Sequence, residues 1–268
     1  ITVNGQSTTI GYSATTDVDD ITINLGTLAV DGTIALTTNG TNGNVTLVND
    51  AGLAFAASTV DGTLSATATT GNMTDSGALT ISGTSAFITS ANDATIALDT
   101  TTNAFTGAIT LTTNDSDGAV AHATIDGGTT ALVIAASTVD GNLTLTSGNA
   151  SGITDGGTLT IGGNLSAITD DNSGVVSLGT LAVDGTIALT TDGTGDALVV
   201  NDASLTFAAS TVGQDLTATA TTGNIIDNAT VTVGRNLAVT ATADDATINL
   251  GTLAVDGTVA LTTNGTNG

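Results

Sequence analysis

The sequence predicts an all-β protein, a β-solenoid of stacked parallel turns, and three observations carry that prediction. The composition suits short strands and tight turns. A unit of about 75 residues recurs along the chain, and apolar residues alternate with small polar ones inside every copy.

The 268 residues include no Cys, Pro, Trp or Lys, and all 25 acidic residues are Asp. Lys, Glu and Arg ordinarily fill exposed helix positions, and only Arg235 is present. Thr, Val and Ile suit pleated surfaces in their place, while Gly, Asn and Asp supply turns. The net charge of −24 excludes nucleic acid and anionic lipid as partners, since both are bound through Lys and Arg. It is read as a solubility device that keeps a strand-rich chain from pairing edge to edge. Without Cys there is no disulfide framework and no thiol or zinc-thiolate chemistry. No apolar run approaches the ~20 residues of a membrane span, so membrane insertion is not expected. No basic segment followed by an apolar stretch marks a signal peptide.

The repeat is explicit. The string LGTLAVDGTIALTT occupies Leu25 to Thr38, recurs unchanged from Leu178 to Thr191, and returns from Leu250 to Thr263 with Val259 as its one substitution. A degraded copy surrounds Gly107. The aligned glycines are Gly32, Gly107, Gly185 and Gly257, at nearly constant spacing. A second string begins at Ala56, Ala135 and Ala208, and a third at Leu79, Leu159 and Val231. Each carries an apolar residue, a turn residue (usually Gly), then alternating apolar and Thr, Ser or Ala positions. These turn marks fall at 32, 62, 83, 107, 141, 163, 185, 214, 235 and 257, one long gap followed by two short ones. Gln214 and Arg235 stand where glycine is expected.

Within a mark, Ile34 and Leu36 point one way and their small polar neighbours the other. A unit of about 22 residues with two or three such strands buries its apolar side only by stacking on the next. The sequence is therefore read as one segment, residues 1–268, excerpted from a longer repeat protein. It has 10–11 coils and a ~75-residue repeat of three coils, in a rod of roughly 50 Å. The longer coil of each set is expected to extrude a loop near Asn39 to Asp50. A propeller would need aromatic signatures, and the chain has one Tyr and four Phe.

The strings from Gly141 to Asn149, Gly157 to Leu165 and Leu64 to Asn72 resemble the repeats of filamentous-haemagglutinin-type adhesins and related bacterial β-strand-repeat surface proteins. The resemblance implies a right-handed parallel β-helix, secretion across a bacterial outer envelope, and a role in adhesion or surface structure, with a cell-surface or glycan partner.

Candidate chemistry is sparse. Asp19-Asp20, Asp170-Asp171 and Asp244-Asp245, with Asn92-Asp93, recur in register with the repeat. A glycosidase needs its carboxylate pair once, so these are read as turns. A polysaccharide lyase groove needs cations that one Arg cannot supply. No catalytic residue and no organic cofactor is assigned. Asp31, Asp61, Asp140, Asp184 and Asp256 occupy equivalent turns, where parallel stacking would draw carboxylates into columns suited to weak calcium association. His122 is expected to face solvent without a role, and Arg235 to pair with a neighbouring Asp. Thr-rich faces raise an ice-binding reading, which unequal coils and scattered Asp oppose. The function expected is an extracellular structural fibre or sheath component that self-associates laterally or end to end. An adhesin stalk is the alternative, ahead of a glycan-active enzyme.

Overall fold

The computed structural model describes residues 11–116 and 120–265, and within them every regular element is a strand. All strand pairings are parallel and join segments about one turn apart in sequence, such as Thr46↔Ser65 and Ser85↔Ile109. The strands form two sheets, one of 18 and one of 14, referred to below as the first and second sheet. The chain visits them alternately, and each full circuit is one turn of a solenoid. Six turns use two short strands in the first sheet and two turns do so in the second, which leaves twelve passes through each sheet and twelve turns among the described residues. At ~4.8 Å per turn the rod is about 58 Å long.

Alternation fixes the core. In Thr33–Thr37 the side chains of Ile34 and Leu36 are fully buried, and so are Leu64, Ala66 and Ala68 in Leu64–Ala68. Inward residues stack in columns along the rod: Leu53, Met73, Ile96, Ala123, Leu143, Leu165, Ile187 and Phe207 follow one another on the first sheet. Phe55, Phe87 and Phe105 meet edge to face across the core, with centroids 6.4 and 6.0 Å apart. The turn glycines are dictated by stacking, not by a left-handed φ. A Cβ on Gly107 would lie 2.4 Å from the Gly83 carbonyl oxygen, and one on Gly185 2.4 Å from that of Gly163. Where Gln214 and Arg235 replace the glycine, Gly213 and Gly234 take over the tight contact one position earlier.

The cross-section is asymmetric. Opposite each straight mark strand the other sheet is kinked, in most turns into two short strands. Leu64–Ala68, for example, lies across from Leu53–Phe55 and Ser58–Val60. Three consecutive marks share a sheet and the next three lie on the other. Those after Gly62, Gly83 and Gly107 are in the second sheet, those after Gly141, Gly163 and Gly185 in the first, and those after Gln214, Arg235 and Gly257 in the second again.

The long repeat therefore spans three and a half turns, not three, and inverts the cross-section each time. This corrects two expectations. The rod has twelve turns instead of ten or eleven, and no loop is extruded near Asn39 to Asp50. That stretch contains Val45–Asn49, a regular strand of the second sheet with Val45 and Leu47 in the core. Its counterparts are Ala123–Asp126 in the first sheet and Ala197–Asn201 in the second. The long gap between marks is one and a half turns.

Candidate functional site

Half-turn inversion decides where the five calcium candidates go. Asp31, Asp140 and Asp184 precede first-sheet marks, whereas Asp61 and Asp256 precede second-sheet marks near opposite ends of the rod. Only Asp140 and Asp184 share a corner closely. They stand two turns apart, roughly 10 Å, with Gly162 between them. The Asp140 carboxylate already accepts the Asp115 N–H at 2.9 Å. Among the described residues, no three His, Cys, Asp or Glu side chains are grouped to hold a metal ion.

The Asp pairs form turns. Asp20, Asp93 and Asp245 adopt left-handed φ values of 62, 63 and 57°, and at Asp170-Asp171 the following Asn172 and Ser173 do so instead. Asp20 also accepts the Asn42 N–H one turn on. His122 is half-buried, between inward Ala121 and Ala123, and its Nδ1 accepts the Asn142 N–H at 2.9 Å. It begins a column in which Asn142 accepts from Asn164 and Asn164 from Thr186, each side chain replacing a ladder bond at the corner. Arg235 pairs with Asp215, one turn below, through Nε at 2.7 Å and through Nη2. These guanidinium bonds hold the Asp215 carboxyl down to about 2 against a smaller desolvation, helped by donors from Asn236.

Sequence reading passed over three sets of polar residues that the fold uses most. Asp75, Asp155 and Asp227 end strands at the kink of their sheets. Asp155 accepts from the N–H groups of Gly179 and Thr180 and from the Thr180 hydroxyl, and Asp227 does the same with Gly251 and Thr252. Asp75 accepts from Asp99 N, Thr100 N and Asn103 Nδ2. Desolvation pushes the Asp227 carboxyl up, but the Gly251 and Thr252 donors outweigh it, and its pKa lies below the ordinary value.

Ser58, Ser137 and Ser210 are buried where a straight first- or second-sheet strand meets a kinked one. Each hydroxyl donates two residues back, to Ala56, Ala135 or Ala208, and accepts the N–H of Leu36, Leu111 or Leu189. Asn49 and Asn201, fully buried, perform the opposite transition. Asn201 accepts the Val183 N–H and donates to the carbonyls of Val183 and Ser204, and Asn49 treats Val30 and Gly52 identically. The signal was available: each of these residues is polar at a position where alternation demands an inward side chain.

Two shallow grooves flank the kinks of the second sheet. One, of about 360 Å³, is lined by Gly26, Thr27, Leu28, Val48, Asp50 and Thr69. The other, of about 260 Å³, is lined by the repeat counterparts Gly179, Thr180, Leu181, Val200, Asp202 and Thr221. A groove that recurs with the repeat is a product of the architecture, and nothing in it departs from the repeat as a unique reactive centre would.

A family model described as repeats of unknown function (DUF5649) matches residues 42–112 and 194–244, together just under half of the chain. Both stretches begin shortly before a junction closed by buried Asn, Asn49 or Asn201. The unmatched unit between them has Gly127 at that register, and there Ser147 Oγ from the next turn bonds the Thr130 carbonyl. No curated protein and no solved structure matches the chain. The strand pairings show a β-solenoid and the matching model describes repeats; that model carries no assigned activity.

Proposed function

We propose that the chain is a stretch of an extracellular structural rod, a fibre or sheath component whose work is mechanical and not catalytic. The observation that carries this reading is the unbroken parallel ladder through twelve turns, with the conspicuous polar residues spent on closing corners and kinks. A column of main-chain hydrogen bonds along the axis makes a stiff object, and each added turn extends it without a new core. A chain with one Arg and no Lys also offers trypsin-like proteases a single target, which suits a protein exposed outside the cell.

The test has two parts. Electron microscopy of the purified chain is expected to show rods about 58 Å long or multiples of that length. Trypsin is expected to cut only after Arg235, an exposed corner residue, leaving two fragments. Globular particles in the micrographs would overturn the reading. An adhesin stalk shares the same rod and adds a binding surface. It rests on the resemblance noted above, and retention of the chain on cells or immobilised glycans would favour it.

A further inference from the structure

We propose that copies of this chain associate side by side, the second-sheet face of one rod against the first-sheet face of the next, with neighbours offset along the axis by three and a half turns. The inference rests on the rod reading and adds the partner and the geometry of contact.

Charge placement is the first observation. Among the described residues the straight strands carry Asp only at their last position, as at Asp126 beside Thr146, while Asp75, Asp99, Asp155 and Asp227 sit at the kinks. The middle of each straight patch is therefore uncharged despite the net charge of −24. Apart from Leu198 and residues at strand ends, the outward side chains of the straight strands are small or β-branched. On the second sheet Thr67, Ile88 and Thr112 form one column and Thr219, Thr240 and Thr262 another, and on the first sheet Thr146, Ile168 and Thr190 correspond. The middle of a straight patch can lie flat against another at the ordinary ~10 Å spacing, with the nearest carboxylates at the patch margins and kinks.

The half-turn inversion is the second observation. Straight patches on one face recur every seven turns, and those on the opposite face sit midway between them. A second copy shifted by three and a half turns, about 17 Å, sets straight patch against straight patch and kinked stretch against kinked stretch. Because the two contacting faces differ, the contact does not close on itself. Each added rod leaves an equivalent free face, and the product is an open sheet or ribbon instead of a dimer.

Area is the third. Straight strands of up to five residues meet over four to six of the overlapping turns and give about 300–500 Å² per partner, below the ~800 Å² of a standard stable interface, so the contact is weak and gains by repetition across a ribbon. The acidic corners of adjacent rods approach one another in this arrangement, so association should strengthen as salt screens them.

The absence of native Cys makes the test direct. Thr112 lies outward on a second-sheet strand and Ala188 outward on the first-sheet strand three and a half turns on, which brings them together across the contact. A mixture of T112C and A188C is expected to form disulfide-linked hetero-pairs, while each variant alone, and T194C at a corner, forms few. Sedimentation should show multi-rod species that grow with salt and are lost in Thr112→Lys and in Ala188→Lys, with melting temperatures unchanged. Single rods at every salt concentration, end-to-end strings alone, or like-with-like cross-links would each overturn the proposal while leaving the rod intact. Micrographs without rods would instead remove the reading beneath it.

Discussion

Replacing Asn201 by Ala tests the claim that buried Asn residues close the junctions where the cross-section inverts. The side chain is fully buried and makes three hydrogen bonds: from Val183 N at 2.9 Å, to Val183 O at 3.1 Å and to Ser204 O at 2.7 Å. Three bonds at a net ~1 kcal/mol each give about 3 kcal/mol, and stranding the buried Val183 N–H and C=O raises the cost to about 4 kcal/mol. With a urea m-value of about 3 kcal/mol/M, the midpoint should fall by about 1 M, read by far-ultraviolet circular dichroism. Asn228→Ala, at an exposed position, should stay within about 0.5 kcal/mol of the parent. Asn49 lies seven turns from Asn201, roughly 34 Å, so the double variant should show the sum of the two single losses. Asn201→Asp keeps the acceptor but sacrifices both donors, and its deficit should deepen as pH rises through the carboxyl's titration. A midpoint for Asn201→Ala equal to that of Asn228→Ala would refute the junction role.

Ser85 is buried between Leu64 and Ile109 in its column, and its hydroxyl has no hydrogen-bond partner. Ser85→Ala should raise the melting temperature, with a gain of about 1 kcal/mol, and a loss of stability would mean that the hydroxyl is satisfied in solution. Two carboxyls should respond to pH in opposite senses. The folded pKa of Asp227 is depressed, so its stabilisation is present above the ordinary carboxyl value and disappears as pH falls through the folded value. Asp227→Asn should therefore flatten the acid limb of a melting-versus-pH curve. Burial raises the pKa of Asp126 against the Gly128 N–H, so its ionised form is a liability at neutral pH. Asp126→Asn should melt higher there, with the advantage vanishing in acid. At matched ionic strength, calcium and magnesium should shift the melting temperature equally, since Asp140 and Asp184 stand two turns apart; a shift confined to calcium would restore a specific site.

Much of this architecture was legible in the residues. The alternation at Ile34 and Leu36, the glycine spacing and the poverty in aromatics together specify stacked strands, and Asp20 and Asp245 were readable as turns. The half-turn was not. Val45, Leu47 and their counterparts alternate in the same way whichever sheet they join, so the long gap between Gly32 and Gly62 fits equally a turn with a loop and a turn and a half. Pairing partners distinguish the two, and the length of chain between partners is not fixed: Val45 pairs with Leu64, but Ile96 reaches past a longer stretch to Ala123. The same ambiguity leaves unread that the five turn carboxylates divide between first-sheet and second-sheet corners. Ser58 and Asn201 were overlooked for a different reason. Both look like ordinary turn-formers beside Ala, Asp and Gly, and only their inward register reveals that they substitute for missing main-chain bonds.

The three-and-a-half-turn repeat also constrains how a gene encoding such a chain can change length. Recombination between adjacent repeat units would delete or insert one unit cleanly, because the strings at either end are nearly identical. The rod would shorten or lengthen by about 17 Å, and every turn downstream would be rotated by half a circle about the axis. Loss or gain of units in pairs alone keeps the downstream portion facing the same way. Populations of length variants should therefore favour steps of two units wherever the azimuth of a distal feature matters, and tolerate single steps where it does not.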